Sequence, residues 1–391
     1  MVLYKDHDRS GGGGKPMKFS VQRDSFIRLL SRAQGIVEKK TTVSVLSHIM
    51  LETLDGQVKL TCTDYDVVLL DSCPAQIERE GKVVLSGKAL FDIVKVLPSV
   101  DISVDKDSAE RVEITTSNSR FTLSGFDPDD FPRIEKADSE AGFMLPVGTL
   151  RRMLGKTAFC MSQEEVRMNL NGIYFDIDKD AEDNVKFACV ATDGHRLAKA
   201  GETFSGLDIP FESKGVIIHR KGIQELRKLL DSEVTDVHVG FGAGEVVFRV
   251  GSAALFVREI DDDYPNYQAV IPSEFTRQFV VDVPELLDGM KRVSPLVDPN
   301  VQTVKLEVRQ DKLVLSAANA QLGRCETELF ADYEGEPFVV GFNQRYLLDC
   351  ISSVESPQVA VRMTEPGAPC LVVPSNPEEG TMFVLMPIEE A

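Results

Sequence analysis

The segment Thr192-Asp193-Gly194-His195, inside ATDGHRLA (191–198), places a hydroxyl, a carboxylate and an imidazole side by side. These are the residue types of general acid–base chemistry. Activating a nucleophile, however, needs a base held against it and a third group orienting the base, and adjacency along the chain does not imply that geometry. Asp193-Gly194 is also a turn signal, in which the aspartate side chain caps a tight corner. The corner reading accounts for the residues without chemistry, and no catalytic residue is assigned. Seven cysteines (Cys62, Cys73, Cys160, Cys189, Cys325, Cys350, Cys370) include no CxxC pair, and most sit among apolar neighbours. Buried thiols in a reducing cytoplasm fit better than disulfides or zinc. The five histidines are dispersed without metal-ligand spacing, so no metal and no cofactor are expected.

The elements that carry these residues repeat. QRDSFIRLLSRAQGIV (22–37), PVGTLRRMLGKTAFC (146–160) and DVPELLDGMKRVSPLV (282–297) each read as a helix with one apolar face. Each is followed by strand-like runs and a second helix candidate: SGKALFDIVKVLP (86–98), HRKGIQELRKLLD (219–231) and FNQRYLLDCISSV (342–354). Between them, 58–72, 112–126, 185–200, 236–250, 304–318 and 381–387 alternate at period two. Turn signals at Asp55-Gly56, Gly242-Ala243-Gly244 and Gln310-Asp311 break these runs. A repeat of this kind decides architecture before any single residue does. The reading is α+β: three repeated domains, each with two helices packed on antiparallel sheets.

Of 391 residues, MVLYKDHDRSGGGGKP (1–16) differs from the rest and cannot bury surface, so a disordered tail is expected there. From Met17 the chain divides into about 125 residues per repeat, an ordinary domain size. Boundaries are expected near 138 and 273, giving 17–138, 139–273 and 274–391. The chain is 43% hydrophobic and 27% charged, as a globular protein is. No apolar run approaches the ~18–20 residues that span a membrane. No charged-then-apolar leader opens the chain.

The net charge is −19, which argues against nucleic-acid binding until its distribution is considered. The six helix segments sum to +8 and the remainder to −27. Helices lining one mildly positive surface would suit loose, sequence-independent contact with phosphates. No stacking platform or recognition helix accompanies them, so base readout is not expected. The first two pairs of helices carry +3 and +5 and the third pair none, so contact should lean toward the first two repeats.

ATDGHRLA, VRMNLNGIYF (166–175), HRKGIQEL (219–226), DYPNYQAVIP (263–272), GFNQRYLLD (341–349) and VLMPI (384–388) resemble, in order and spacing, the bacterial β sliding clamps of DNA polymerase III. The resemblance runs from Met17 to Ile388. It implies a non-enzymatic processivity factor in the cytoplasm: a head-to-tail homodimeric ring of six domains, its helices facing double-stranded DNA. It implies as partners the polymerase catalytic subunit, the clamp loader and other proteins carrying a short peptide with Gln and Leu/Phe anchors. Topological linkage would explain why a mild inner charge suffices. The alternatives are an enzyme using the corner and a monomeric scaffold of three repeats.

Carried over by motif, the resemblance implies a peptide pocket of Leu170, Thr192, Gly194, His195, Arg196, Leu197, Pro265, Val270, Asn343, Tyr346, Val384, Met386, Pro387 and Ile388. Ala269 replaces a rim arginine of some relatives, and the terminal Glu389-Glu390-Ala391 would make the rim more acidic. DNA-facing candidates are Lys40, Arg151, Arg152, Arg167, Arg220 and Lys221, with Arg28, Arg32, Lys156, Arg227 and Lys228 as further helix cations. Glu164 would weaken a DNA contact beside Gln163. The dimer seam is expected at Arg120 and Phe121 on one side and Leu296 on the other.

Overall fold

The computed structural model of the chain describes residues 15–37, 44–107, 109–134, 141–164, 166–230, 233–242 and 244–388. Lys40, most of the N-terminal tail, the boundary near 138 and the terminal 389–391 lie outside the described residues.

Six helices are described, α1 (Arg23–Ala33), α2 (Gly87–Val96), α3 (Val147–Thr157), α4 (Arg220–Leu230), α5 (Val283–Val293) and α6 (Gln344–Ser352). Each continues directly from a strand, so the chain is a series of six strand–helix steps. The entry signals are local. Ser86 accepts from the Ala89 N–H and Asp282 from the Glu285 N–H, while the Asn343 side chain accepts from the N–H groups of Arg345 and Tyr346. Such caps satisfy donors that have no partner inside the helix. Pro284 occupies the first turn of α5, where its missing N–H costs nothing. On α1 the buried residues Phe26, Leu29, Leu30 and Ala33 fall at the i, i+3, i+4, i+7 spacing of one face. Phe26 meets Phe19 of the preceding strand edge-on, with ring centroids 6.2 Å apart.

The strand pairing repeats three times. The strand before the first helix of each repeat runs antiparallel to the strand after the second helix. The partners are Met17–Gln22 with Asp101–Lys106, Ala141–Pro146 with Asp236–Phe241, and Arg277–Asp282 with Gln358–Met363. The strand before the second helix likewise pairs with the one opening the repeat's second sheet: Gly81–Ser86 with His48–Leu54, Ser213–His219 with Gly172–Lys179, and Phe338–Asn343 with Thr303–Arg309. The three-fold α+β organisation read from the sequence is therefore the observed one.

The three repeats group into two compact units. One comprises the chain up to Gly148 together with Gln224–Glu259, the other Thr149–Ile223 together with Ile260–Ala391. The middle repeat is shared because sheets run continuously across repeat junctions. In the first unit, Ala253–Arg258 of the middle repeat pairs with Val67–Pro74, within one eight-stranded sheet. In the second, Arg196–Phe204 pairs with Thr381–Leu385, again within eight strands. A five-stranded sheet completes the first unit and a four-stranded sheet the second.

That junction is made twice, and one strand of each kind is left over. Arg120–Ser124 ends the five-stranded sheet and Gly323–Leu329 ends the four-stranded one, each bonded on one side only among the described residues. Arg120–Ser124 alternates exposed and half-buried residues, and Gly323–Leu329 is exposed over most of its length. Leu296 lies in the short turn Ser294–Leu296 that packs beside Gly323–Leu329.

Candidate partner-docking site

The Thr192-Asp193-Gly194 corner is a repeated structural device. Thr192 Oγ1 accepts from the Gly194 N–H, and Asp193 Oδ1 accepts from the N–H groups of His195 and Arg196. In the first repeat Thr63 Oγ1 accepts from Tyr65, and Asp64 Oδ1 from Asp66 and Val67. In the third, Asn319 Oδ1 accepts from Gln321 and Leu322. Gly194 (φ +88°) and Tyr65 (φ +78°) share the left-handed conformation, which suits glycine and strains tyrosine. Thr192 thus spends its hydroxyl on backbone, while Asp193 gives Oδ1 to backbone N–H groups and Oδ2 to the Arg196 guanidinium. What distinguishes the second corner is the His-Arg pair it presents.

Around this corner the second unit assembles most of the predicted groove. The Met386 N–H donates to the His195 carbonyl, and Leu197 is cross-strand partner to Val384. The chain then crosses to the strand before α6, where the Ile388 N–H donates to the Gly341 carbonyl. His195 stacks on Tyr346 with centroids 6.3 Å apart and 25° between planes. Leu197 and Val384 belong to a buried apolar cluster with Ala188, Val190, Tyr267 and Leu371, against which Tyr174, Tyr264, Ile271 and Phe275 pack. Tyr264 and Tyr267 anchor the segment carrying Pro265 and Val270. Tyr264 stacks on Tyr174 at 4.7 Å, and the Tyr267 hydroxyl donates to Asp176 at 2.5 Å. Burial, foremost, raises the affinity of both phenols for their protons. Val270 (50% exposed) and Met386 (43%) present apolar surface to solvent. Such an apolar strip, with a few backbone and ring groups beside it, is what an extended or short helical peptide needs.

Several predicted residues take different places. Arg196 does not wall the groove: its side chain is 6% exposed and fully engaged. Asn343 spends its side-chain oxygen on the α6 cap and donates from its amide to Gln302, so its polar atoms are already engaged. Leu170 is buried in a short turn, its N–H bonded to the Arg167 carbonyl. Arg167, expected to face DNA, pairs with Glu164 at 3.4 Å, and its guanidinium lies where a side chain on Gly194 would stand. It belongs to the corner. Arg152 is not an available charge either: it donates to Glu202 (2.6 Å) and to the Glu379 carbonyl (3.0 Å). Lys156 pairs with Glu379 and Glu355, and Arg32 with Asp71 at 2.8 Å. Counting charges by helix could not see these pairings, because the carboxylates come from strands and turns far along the chain. Arg151 is exposed, while Arg220 and Lys221 are half-buried at the start of α4.

A cavity of about 750 Å³ opens on the same sheet, lined by Asp176, Lys186, Lys199, Arg362 and Met382 among others, and it shares Ala188 and Tyr267 with the apolar cluster. None of the fourteen predicted groove residues lines it. Sequence reasoning had no assignment for Tyr264, Tyr267, Phe159 or Asp349. Tyr264, Tyr267 and Asp349 lie inside quoted motifs and Phe159 inside a quoted helix segment, but nothing along the chain signals that they meet.

Fold and site together define a class, a clamp-type protein of repeated strand–helix units joined edge to edge. Family models place it further. The N-terminal, central and C-terminal domains of the DNA polymerase III beta subunit match residues 17–135, 144–266 and 268–389 in series. The chain is 33% identical over 377 residues to the beta sliding clamp of Caulobacter vibrioides, covering 95% of this chain and 100% of that one. It is 29% identical to that of Vibrio cholerae, covering 95% and 100%. Among solved structures it resembles a Caulobacter crescentus beta sliding clamp (TM-score 0.92, 32% identity, 97% and 100% covered). It also resembles a Bartonella birtlesii sliding clamp bound to griselimycin (TM-score 0.90, 32% identity, 96% and 100% covered). The chain belongs to the DNA polymerase III beta subunit family. Its function is the family's: a sliding clamp that confers processivity on the polymerase and has no catalytic role of its own.

Proposed function

We propose that two copies of this chain close head to tail into a ring around duplex DNA, in the cytoplasm, with partner peptides docked at the His195–Tyr346–Met386 groove. The observation that carries the ring is the pair of leftover sheet edges. The junction between one repeat's corner strand and the next repeat's last strand occurs twice within the chain. Gly323–Leu329 is the third corner strand and Arg120–Ser124 the first repeat's last strand, so each supplies what the other lacks. An exposed strand edge is a template for pairing with another chain. Contacts of this heterologous kind close when the rotation permits, and a second copy supplies the closure. Arg120, Phe121 and Leu296 stand at these edges in this reading, and the three domains are 17–138, 139–273 and 274–391.

Arg151, Arg220, Lys221 and Lys40 are the cations proposed to meet the phosphates, Arg167 being held at the corner by Glu164. Pairing of Arg32, Arg152 and Lys156 to carboxylates leaves the inner charge milder than the helix count suggests. A mild charge supports sliding, since each tight phosphate contact would have to be broken at every step. The exposed Val270 and Met386 support the peptide groove, as does the likeness to a relative solved with a bound ligand.

Two measurements test the reading. Native mass at micromolar concentration is expected to show twice the 43.2 kDa chain mass, and a monomer would contradict ring closure. On long primed circular DNA, the protein with its loader and polymerase is expected to lengthen products. Unchanged product length would contradict the DNA-encircling role.

A further inference from the structure

Arg196 is the most heavily engaged side chain near the groove, yet its guanidinium is closed to solvent. Its three nitrogens go to three separate segments. Nε donates to Asp193 Oδ2 of the corner (3.1 Å), Nη1 to Asp349 Oδ2 of α6 (2.8 Å), and Nη2 to the Phe159 carbonyl in the turn after α3 (2.7 Å). The guanidinium carbon sits 4.3 Å from the Tyr346 ring centroid and 5.2 Å from that of Phe159. His195 lies 6.3 Å from Tyr346 in turn. Tyr346 and Asp349 are three residues apart on α6 and therefore share a face. One planar cation thus fixes both the ring that faces the groove and the helix that carries it. A planar fork can do this where a lysine ammonium cannot.

We infer that Arg196 is a positioning residue rather than a peptide contact, and that Asp349 acts through it. Together they set the spacing between the His195 corner and the Tyr346 face, and hence the affinity of the groove. The inference rests on the docking reading above. Without Asp349, Nη1 would lose its carboxylate, α6 would keep only ring contacts to the corner, and the groove would be formed in only part of the population. A site competent in a fraction of molecules binds more weakly by that fraction.

The test is fluorescence anisotropy of a synthetic peptide carrying glutamine, leucine and phenylalanine anchors, titrated with the full chain. Asp349→Asn is expected to weaken binding about tenfold, on the scale of one charge-assisted hydrogen bond. Asp349→Glu is expected to restore it to within about threefold, whereas Arg196→Lys should stay weak because lysine lacks the fork. Combining Asp349→Asn with His195→Ala should weaken binding by less than the product of the single effects, because both act through one stack. Wild-type affinity in both Asp349→Asn and Arg196→Lys, or strictly multiplicative effects in the double variant, would overturn the positioning role. Failure of the unmodified chain to bind the peptide would instead overturn the docking reading itself.

Discussion

Lys156 on α3 and Glu379, in the turn before the C-terminal strand, form an ion pair 223 residues apart in sequence, with side chains 4% and 6% exposed. Every oxygen of the carboxylate is used. Oε1 also accepts from the Glu355 N–H at 3.0 Å, and Oε2 accepts from the Ser356 N–H (3.1 Å) and hydroxyl (2.7 Å). Gly380 follows in the left-handed conformation, where an added Cβ would stand 2.2 Å from the Gly201 carbonyl oxygen. The C-terminal strand, which carries Val384 of the proposed groove, is therefore pinned at its start.

Removing one partner of this pair is expected to be severe, because the other charge would be left buried without compensation. Lys156→Met should lower unfolding stability by about 3–5 kcal/mol, measured by urea denaturation. The double change Lys156→Met with Glu379→Leu should recover part of that loss. A single variant with unchanged stability would show that the pair is solvated in solution.

The same carboxylate predicts an acid dependence. Burial opposes ionisation of Glu379, but the Lys156 ammonium, Ser356 and the Glu355 N–H outweigh it, so its pKa falls below the ordinary 4.5. A depressed carboxylate stabilises the fold fully above the unfolded-state value. That contribution is lost as pH falls from about 4.5 through the lower folded value. Glu379→Gln should be less stable at neutral pH and show a shallower decline below pH 4.5 in thermal melts. Parallel declines in the two proteins would remove Glu379 from the acid response.

The open edges make the seam sensitive to charge. Phe121→Asp and Leu296→Asp should each shift the protein toward monomer, since a charge placed at a strand edge opposes pairing there. Native mass or light scattering at micromolar concentration reads the change. A persistent dimer in both variants would relocate the seam.

In the groove, His195→Ala combined with Met386→Ala should cost on the order of 100-fold in peptide affinity, the scale of two interface anchors. The oligomeric state should not change. Undiminished affinity would remove these residues from the docking surface.

Six of the seven cysteines are buried and Cys325 alone is partly exposed. Burial, with Asp71 nearby, pushes the Cys73 thiol up to about 12. Burial likewise raises Cys160, Cys189 and Cys370. Thiolate is the reactive form. A thiol reagent at pH 8 should therefore modify at most one cysteine in the native protein and all seven after denaturation.

Much of this molecule is legible in its chain because the signals are local. Period-3.6 faces on α1 and α5, the cap at Asp282 and the Asp-Gly turn after Leu54 each act within a few residues. Three copies of those signals specify the repeat. The corner at Thr192-Asp193 is local as well, since its hydrogen bonds span two or three residues. Tertiary structure alone decided which charges remain available. Arg152 and Lys156 read as helix cations in sequence, but their partners Glu202 and Glu379 reach them only through the fold. It also decided that Arg196 turns inward to Asp349, 153 residues away, while its neighbour His195 stays exposed. Electrostatic pairing depends on distance in space and on exclusion of water, and neither is encoded in the spacing of residues along a chain.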